Sequence, residues 1–157
     1  MMKTFINTSL GETWMENGEA PDWQRLQGLK EDWRAGTVPA GGLFLTAGAD
    51  VQKDRIEVDV WAWGRGFESW LVDHIVIPGG PGDPACWEAL TALLGQTWVH
   101  EHGAVMPLAK LAIDTGFETS AVDAWARAQG IAQVAPVKGL EGFNRATPVS
   151  GPTFVDA

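Results

Sequence analysis

Two aspartates that lie far apart in the chain are the residues best suited to chemistry. Asp50 ends the apolar run LFLTAGAD, which begins at Leu43, and Asp114 ends the run LAKLAID, which begins at Leu108. Taking a carboxylate out of water costs several kcal/mol unless a partner or a metal compensates for it. A strand that ends on an aspartate therefore either turns there or places the charge where it binds something. Carboxylate oxygens are hard ligands that suit Mg²⁺ or Mn²⁺.

The elements that position these aspartates follow from the spacing of the apolar residues. Alternation of apolar and polar side chains indicates strands. Asp83 followed by Pro84 is the signal for a helix start, and Gly130 is the signal for a helix end. The elements predicted in chain order are strands 43–50, 55–63 and 67–77, a helix from Pro84, strand 108–114, helix 118–129 and strand 131–137.

The predicted order, β-β-β-α-β-α-β, is that of an α/β protein with a five-strand mixed sheet and flanking helices. Ribonuclease-H-like nucleases and transferases have this arrangement. In it the first and fourth strands are parallel neighbours, so their C-terminal ends share the edge where α/β sheets place ligands. Asp50 and Asp114 would meet there, and their mutual repulsion calls for a cation. The alternative is that Asp50 caps a turn toward Gln52 and Asp114 one toward Gly116.

Composition limits the class of protein. At 157 residues the chain is long enough for one domain and an extension. A net charge of −9 opposes sequence-independent binding to nucleic acid, which depends on Lys and Arg. No apolar run approaches the ~20 residues of a membrane span, and no signal peptide is evident, so we expect a soluble cytoplasmic protein. The single Cys86 excludes an internal disulfide.

We predict three segments: an N-terminal extension or linker, a nuclease-like core and a C-terminal tail, at residues 1–42, 43–138 and 139–157. The extension carries a short amphipathic helix, predicted from apolar residues at three- and four-residue spacing after Pro21. These residues are Trp23, Leu26, Leu29 and Trp33. The helix is expected to be peripheral to the sheet.

Four segments resemble the nuclease part of the lambda-type terminase large subunits of tailed bacteriophages: NTSLGETW, GTVPAGGLFLTAGADVQKDRIEVDVWAWGRGFESWLVD, LAIDTG and APVKG. The resemblance covers about residues 5–140. In that family an ATPase domain is followed by a ribonuclease-H-like endonuclease that cuts concatemeric viral DNA. The resemblance implies a Mg²⁺- or Mn²⁺-dependent phosphodiester hydrolase with a two-metal site, in which Asp50 matches the first-strand ligand and Asp114 the fourth-strand carboxylate.

The same resemblance implies double-stranded viral DNA as substrate, the terminase small subunit and portal as partners, and the host bacterial cytoplasm as location, with no membrane. This chain departs from the pattern of that family in two ways. No Walker P-loop occurs in this chain, so the ATPase is not expected in it. The third acidic ligand of the family lies on a helix beyond the fifth strand, and the chain stops at Ala157. We therefore expect an incomplete site in a fragment that is weak or inactive by itself.

Three further residues are auxiliary candidates. Glu68 could lie near the metal edge, Glu88 lies on the first helix, where ribonuclease H carries an acid, and Lys138 could contact the scissile phosphate. For each, a solvated surface residue is the alternative. Two functional hypotheses from different classes remain: a nuclease, or a non-catalytic docking module or prophage remnant on the same fold. An enzyme of another class on the same fold, such as an exonuclease or a strand-transfer enzyme, is a third hypothesis.

Overall fold

The computed structural model describes residues 27–139. The chain divides into two units, residues 1–32 and 33–157. In the first unit, residues 27–28 are helical and a turn follows at Leu29, which is 69% exposed. The predicted amphipathic helix lies mainly outside the described residues. Trp33 belongs to the second unit and is in neither a helix nor a strand.

The described part of the second unit holds seven strands, two α-helices and a short 3-10 helix at Arg65–Phe67. The strands are β1 (Thr37–Val38), β2 (Phe44–Val51), β3 (Arg55–Trp63), β4 (Ser69–Pro78), β5 (Thr97–His100), β6 (Val105–Asp114) and β7 (Val134–Val137). The helices are α1 (Pro84–Leu94) and α2 (Thr119–Gln129). Neither of these helices is long and apolar enough to cross a bilayer.

The strands form one mixed sheet whose main body has the order β4-β3-β2-β6-β7. Strands β2, β3 and β4 are an antiparallel meander, whereas β2 is parallel to β6 and β6 is parallel to β7. The α/β class, the mixed sheet and the parallel pairing of the two aspartate-bearing strands are thus confirmed. That pairing is the feature on which the candidate site depends.

The prediction of five strands is wrong, because two short strands were missed. β5 pairs antiparallel with the first residues of β6, and the hairpin closes through a 2.7 Å bond from the His100 N–H to the Ala104 carbonyl. β1 lies in the segment predicted as a linker, yet it pairs with β5, and Val38 is fully buried. Strands of two and four residues are too short to show a hydrophobic period, so the sequence did not reveal them.

Both helices pack on the same face of the sheet. The Trp87 ring on α1 lies 5.7 Å from the Trp125 ring on α2, measured between centroids, and Trp125 Nε1 donates to Thr91 Oγ1 at 2.9 Å. The strands turn alternate residues toward the helices; on β2 and β3 these are Leu45, Ala47, Ala49, Val51, Ile56, Val58, Val60 and Ala62. We call this side the helix face and the opposite side the open face.

Helix ends follow the sequence signals. The Asp83 carboxylate accepts the Ala85 N–H at 3.0 Å, and Pro84 is the first residue of α1. α2 ends at Gln129, and Gly130 has φ 85°, a backbone conformation that side chains disfavour. These local predictions are confirmed.

Candidate functional site

The ends of β2 and β6 bring Asp50 and Asp114 to neighbouring positions. The last paired residues of the two strands are Ala49 and Ile113, and each aspartate is the next residue in its strand. Ala49 and Ile113 are buried on the helix face, so strand alternation turns both aspartates to the open face. Adjacent strands lie about 4.8 Å apart. The two carboxylates, hereafter the carboxylate pair, thus share one edge and one face of the sheet.

Asp50 is held by a neighbouring amide. Gln52 Nε2 donates to Asp50 Oδ2 at 2.5 Å, while the Gln52 N–H donates to the Arg55 carbonyl at 2.9 Å and closes the β2–β3 turn. The sequence left open that Asp50 caps a turn toward Gln52. The two residues do touch, but here the side-chain amide is the donor and the carboxylate is the group being oriented.

Asp114 is positioned by backbone packing. A Cβ added at Gly116 would lie 2.9 Å from Asp114 Oδ2, so the carboxylate sits directly over this glycine. The residue between them, Thr115, is buried, and both its N–H and its hydroxyl donate to the Val137 carbonyl, at 2.9 and 3.1 Å. The backbone after Asp114 is therefore anchored to β7, and the carboxylate occupies the space that a side chain at Gly116 would need.

Two further acids on the open face were not identified as site neighbours from the sequence. Glu57 is the β3 partner of Asp50 in the register, and it accepts a charged hydrogen bond from Arg55 Nε. The hydrogen bonds to Glu57 and Asp54 raise the pKa of Arg55. The alternation along β3 did place Glu57 on a polar face; only the strand register shows that this face is the one that carries Asp50.

Asp59 lies farther along β3 and pairs with a histidine. His74 Nδ1 is 2.7 Å from Asp59 Oδ1 across the β3–β4 ladder. The hydrogen bond to Asp59 raises the pKa of His74 above its usual value, with smaller contributions from the charges of Asp59, Glu57 and Asp73. Both side chains of this pair are solvent-exposed, so neither charge is buried. Protonation of His74 changes the net charge of this part of the open face.

The auxiliary candidates lie in three different places. Glu68 directly precedes β4, whose first residue, Ser69, lies in register with Trp63. Trp63 is in turn opposite Phe44, at the start of β2. Glu68 is therefore at the opposite edge of the sheet from Asp50. Glu88 is an exposed residue of α1, on the helix face. Lys138 follows Val137, the partner of Asp114, so it alone of the three lies beside the carboxylate pair.

The carboxylate pair supplies part of what a metal ion needs. Within residues 27–139, no group of three or more His, Cys, Asp or Glu side chains is arranged to hold one. The exposed Asp50 and the half-buried Asp114 nevertheless suit Mg²⁺ or Mn²⁺, because Mg²⁺ is commonly bound through one or two carboxylates and keeps several waters. The described residues therefore fit a weak divalent-cation site that is completed by solvent or by other groups.

A cleft opens at the same edge of the sheet. Its volume is about 460 Å³, and its lining residues come from the loops that follow β2, β4 and β6. They are Lys53, Pro81, Gly82, Phe117 and Glu118. We call it the loop cleft; no motif in the sequence indicated it, because its walls come from three separate segments.

Comparison with known proteins agrees with the sequence resemblance. The family model described as "Terminase large subunit gpA, endonuclease domain" matches residues 1–156. The terminase large subunit of Escherichia phage lambda is 37% identical over 145 residues, which are 91% of this chain and 22% of that protein. The terminase large subunit of Enterobacteria phage P21 is 36% identical over 146 residues, or 92% of this chain and 23% of that protein.

The chain thus spans less than a quarter of the length of these relatives. No solved structure matches it. The lambda-type resemblance carried by the segments around Asp50 and Asp114 is confirmed, since the family model extends over almost the whole chain. The chain belongs to the family of terminase large subunit gpA endonuclease domains.

Proposed function

We propose that this chain is the metal-dependent DNA endonuclease domain of a phage terminase large subunit, which cuts concatemeric viral DNA during genome packaging. The observation that carries the proposal is the placement of Asp50 and Asp114 on one face at the ends of adjacent parallel strands. Membership of the endonuclease family supports it. The strand order β4-β3-β2-β6-β7 supports a ribonuclease-H-like fold.

The roles of the side chains follow from their contacts. When bound, Mg²⁺ or Mn²⁺ would hold the phosphodiester and generate a nucleophilic water. Asp50 and Asp114 would supply oxygen ligands. Gln52 keeps Asp50 in one orientation, and partners of this kind tune the ligands they hold. Lys138, beside Asp114, would place a positive charge near the phosphate.

We further propose that the remaining ligands of a two-metal site come from outside residues 27–139. Support comes from the donor count, because the described residues form no group of three candidate ligands. Two ions about 4 Å apart need more oxygen donors than two carboxylates provide. If those donors belong to other parts of the packaging machinery, the chain by itself should bind a divalent ion weakly and cut DNA poorly.

The proposed substrate is double-stranded viral DNA, and the proposed partners are the terminase small subunit and the portal. The net charge of −9 supports the proposal that other parts of the packaging machinery bind most of the DNA, since few cations are available here to neutralise phosphates. Tight grip on DNA would then belong to other parts of the packaging machinery, and this chain would contribute the chemistry at the cut.

Calorimetric titration with Mn²⁺ and a plasmid-nicking assay test the proposal on the 157-residue chain. We expect binding in the millimolar range, its loss in Asp50→Asn, and very low nicking. Glu101→Gln is the matched control, because it neutralises an exposed carboxylate in the β5–β6 hairpin, at the end of β6 opposite to Asp114. Unchanged Mn²⁺ affinity in Asp50→Asn would remove the metal site, and robust nicking by the chain would overturn the incomplete-site proposal.

A non-catalytic docking module is the second candidate function. The far end of the open face, opposite the carboxylate pair, exposes large apolar side chains: Phe44 at 48%, Leu71 at 40% and Trp63 at 36%. Exposed apolar patches mark interaction surfaces. If docking is the only role, Phe44→Ser should weaken association with the small subunit, while Asp50→Asn should leave DNA cutting by the assembled terminase unchanged.

A further inference from the structure

The loop cleft has the size and position of a ligand site. Its volume of about 460 Å³ falls in the ~300–1,000 Å³ range of small-ligand pockets. Lys53 lies three residues after Asp50, and Phe117 lies three residues after Asp114. The cleft therefore opens next to the carboxylate pair, at the edge of the sheet where both strands end.

Two walls of the cleft are fixed by backbone contacts. The Gly79 N–H donates to the Asp54 carbonyl at 3.0 Å, and a Cβ added at Gly80 would lie 2.1 Å from the Lys53 carbonyl oxygen. The β4–α1 loop is thus packed against the β2–β3 turn with no room for a side chain. Trp87 Nε1 donates to the Pro81 carbonyl at 2.9 Å and ties the same loop to α1. The cleft is preformed on this side.

The third wall is the loop that leads into α2. Glu118 adopts a left-handed conformation, φ 49° and ψ 45°, and its carbonyl accepts the N–H groups of Ala121 and Val122. Thr119 Oγ1 donates to the Thr115 carbonyl at 2.7 Å. Phe117, just before this braced turn, remains 42% exposed although it is large and apolar. An aromatic ring is thus held at the cleft by a rigid loop.

The lining combines three chemical groups. An aromatic ring can stack on a nucleobase, and a lysine can meet a phosphate. Arg55, in the same turn as Lys53, is engaged by Glu57 and Asp54, and Lys138 lies at the end of β7, on the other side of Asp114 from β2. A glutamate repels phosphate but accepts hydrogen bonds from the amino group of a base, as carboxylates do from cytosine N4. Phosphate thus belongs at Lys53 and the base between Phe117 and Glu118.

We propose that the loop cleft binds one unpaired nucleotide of the DNA strand beside the cut, and that it prefers a base with an exocyclic amino group to thymine. The inference rests on the proposed nuclease function, which it deepens. Phe117 stacks on the base, Glu118 accepts from its amino group, and Lys53 meets its phosphate. Unpaired bases are recognised in this manner, through stacking and through bonds to their pairing edge.

Fluorescence anisotropy with labelled single-stranded oligonucleotides tests the proposal on the full chain. The probes are oligodeoxycytidylate and oligothymidylate of equal length, in EDTA and low salt. We expect tighter binding of the cytidylate, and about tenfold weaker binding of both probes in Phe117→Ala. Glu118→Gln should remove the preference for cytidylate, and Lys53→Gln should weaken binding and its dependence on salt.

Phe67→Ala is the matched control, because Phe67 is 97% exposed in the β3–β4 loop and away from the cleft. Equal affinity for the two probes, or equal effects of the Phe117 and Phe67 substitutions, would overturn the proposal. Thermal melts establish folding of each variant; if Phe117→Ala is unfolded, Glu118→Gln decides through the base preference alone.

The EDTA separates this inference from the metal site. If the wild-type chain titrates Mn²⁺ but shows no base preference, the cleft proposal fails alone. If the base preference is present and no Mn²⁺ binding is measured, the proposed metal-dependent function fails and the nucleotide site stands.

Discussion

The two faces of the sheet differ in the side chains that they carry. On β2, the residues that point to the helix face are Leu45, Ala47, Ala49 and Val51, all nearly fully buried. On the open face the same strand presents Phe44, Thr46, Gly48 and Asp50, which are exposed or half-buried. On β2 the helix face is apolar throughout, whereas the open face of the sheet is aromatic at one end and acidic at the other.

This contrast separates the residues that stabilise the fold from the candidate functional residues. Burial of apolar area supplies most of the stability, and the helix face supplies that area. Like charges such as Asp50, Glu57 and Asp114 contribute nothing favourable to each other, and they share one row of the open face. Arg55 compensates the charge of Glu57, whereas the repulsion between Asp50 and Asp114 is what the proposed metal ion would relieve.

The sharpest contrast between the faces should appear in stability. Leu45 is fully buried and its neighbour Phe44 is 48% exposed on the opposite face. We expect Leu45→Ala to cost about 3 kcal/mol of unfolding free energy, because it leaves a cavity in the core. Phe44→Ala should cost less than about 1 kcal/mol, as expected for a surface change. Urea unfolding of both variants would measure this, and equal losses would mean that the open face is covered in solution.

An intermediate effect should appear in metal affinity at Gly116. A Cβ there would stand 2.9 Å from Asp114 Oδ2, so Gly116→Ala should turn the carboxylate away from Asp50. We expect Mn²⁺ affinity to fall several-fold with little change in melting temperature. Gly28→Ala is the control, since a Cβ at that glycine meets no atom within 4 Å. If Gly116→Ala binds Mn²⁺ as the wild type does, Asp114 is not a ligand.

The smallest effect should be the pH dependence of the His74–Asp59 pair. Because its bond to Asp59 raises the pKa of His74 above the usual 6.5, the protonated pair stabilises the folded state. That stability is fully present below the unfolded-state pKa and is lost as pH rises through the raised, folded-state pKa. NMR titration should show the raised pKa and its fall in Asp59→Asn.

Melting temperatures provide the matching stability measurement. The difference between wild type and His74→Gln should be largest in mild acid, small in size because the pair is exposed, and absent in alkaline solution. A difference that grows as pH rises would contradict the assignment of the pair.

The elements that could be predicted from the amino-acid sequence are those whose signal is local. Alternation identified β3 at its observed bounds, and capping signals located the start of α1 at Asp83–Pro84 and the end of α2 at Gly130. It also singled out Asp50 and Asp114, because a charge that ends an apolar strand is visible within a few residues. A repeat of two residues, or a cap, needs no distant partner to be recognised.

Contacts between remote segments could not be predicted from the sequence, because they depend on how the folded chain packs. Strands β1 and β5 are too short to carry a period and exist because they pair with each other, and β5 with β6. Glu68 lies at the end of the sheet away from Asp50 because β3 runs antiparallel to β2 and carries the chain to the opposite end before β4 begins. The open face, the contact over Gly116 and the loop cleft depend on register and packing between distant residues, which no local pattern encodes.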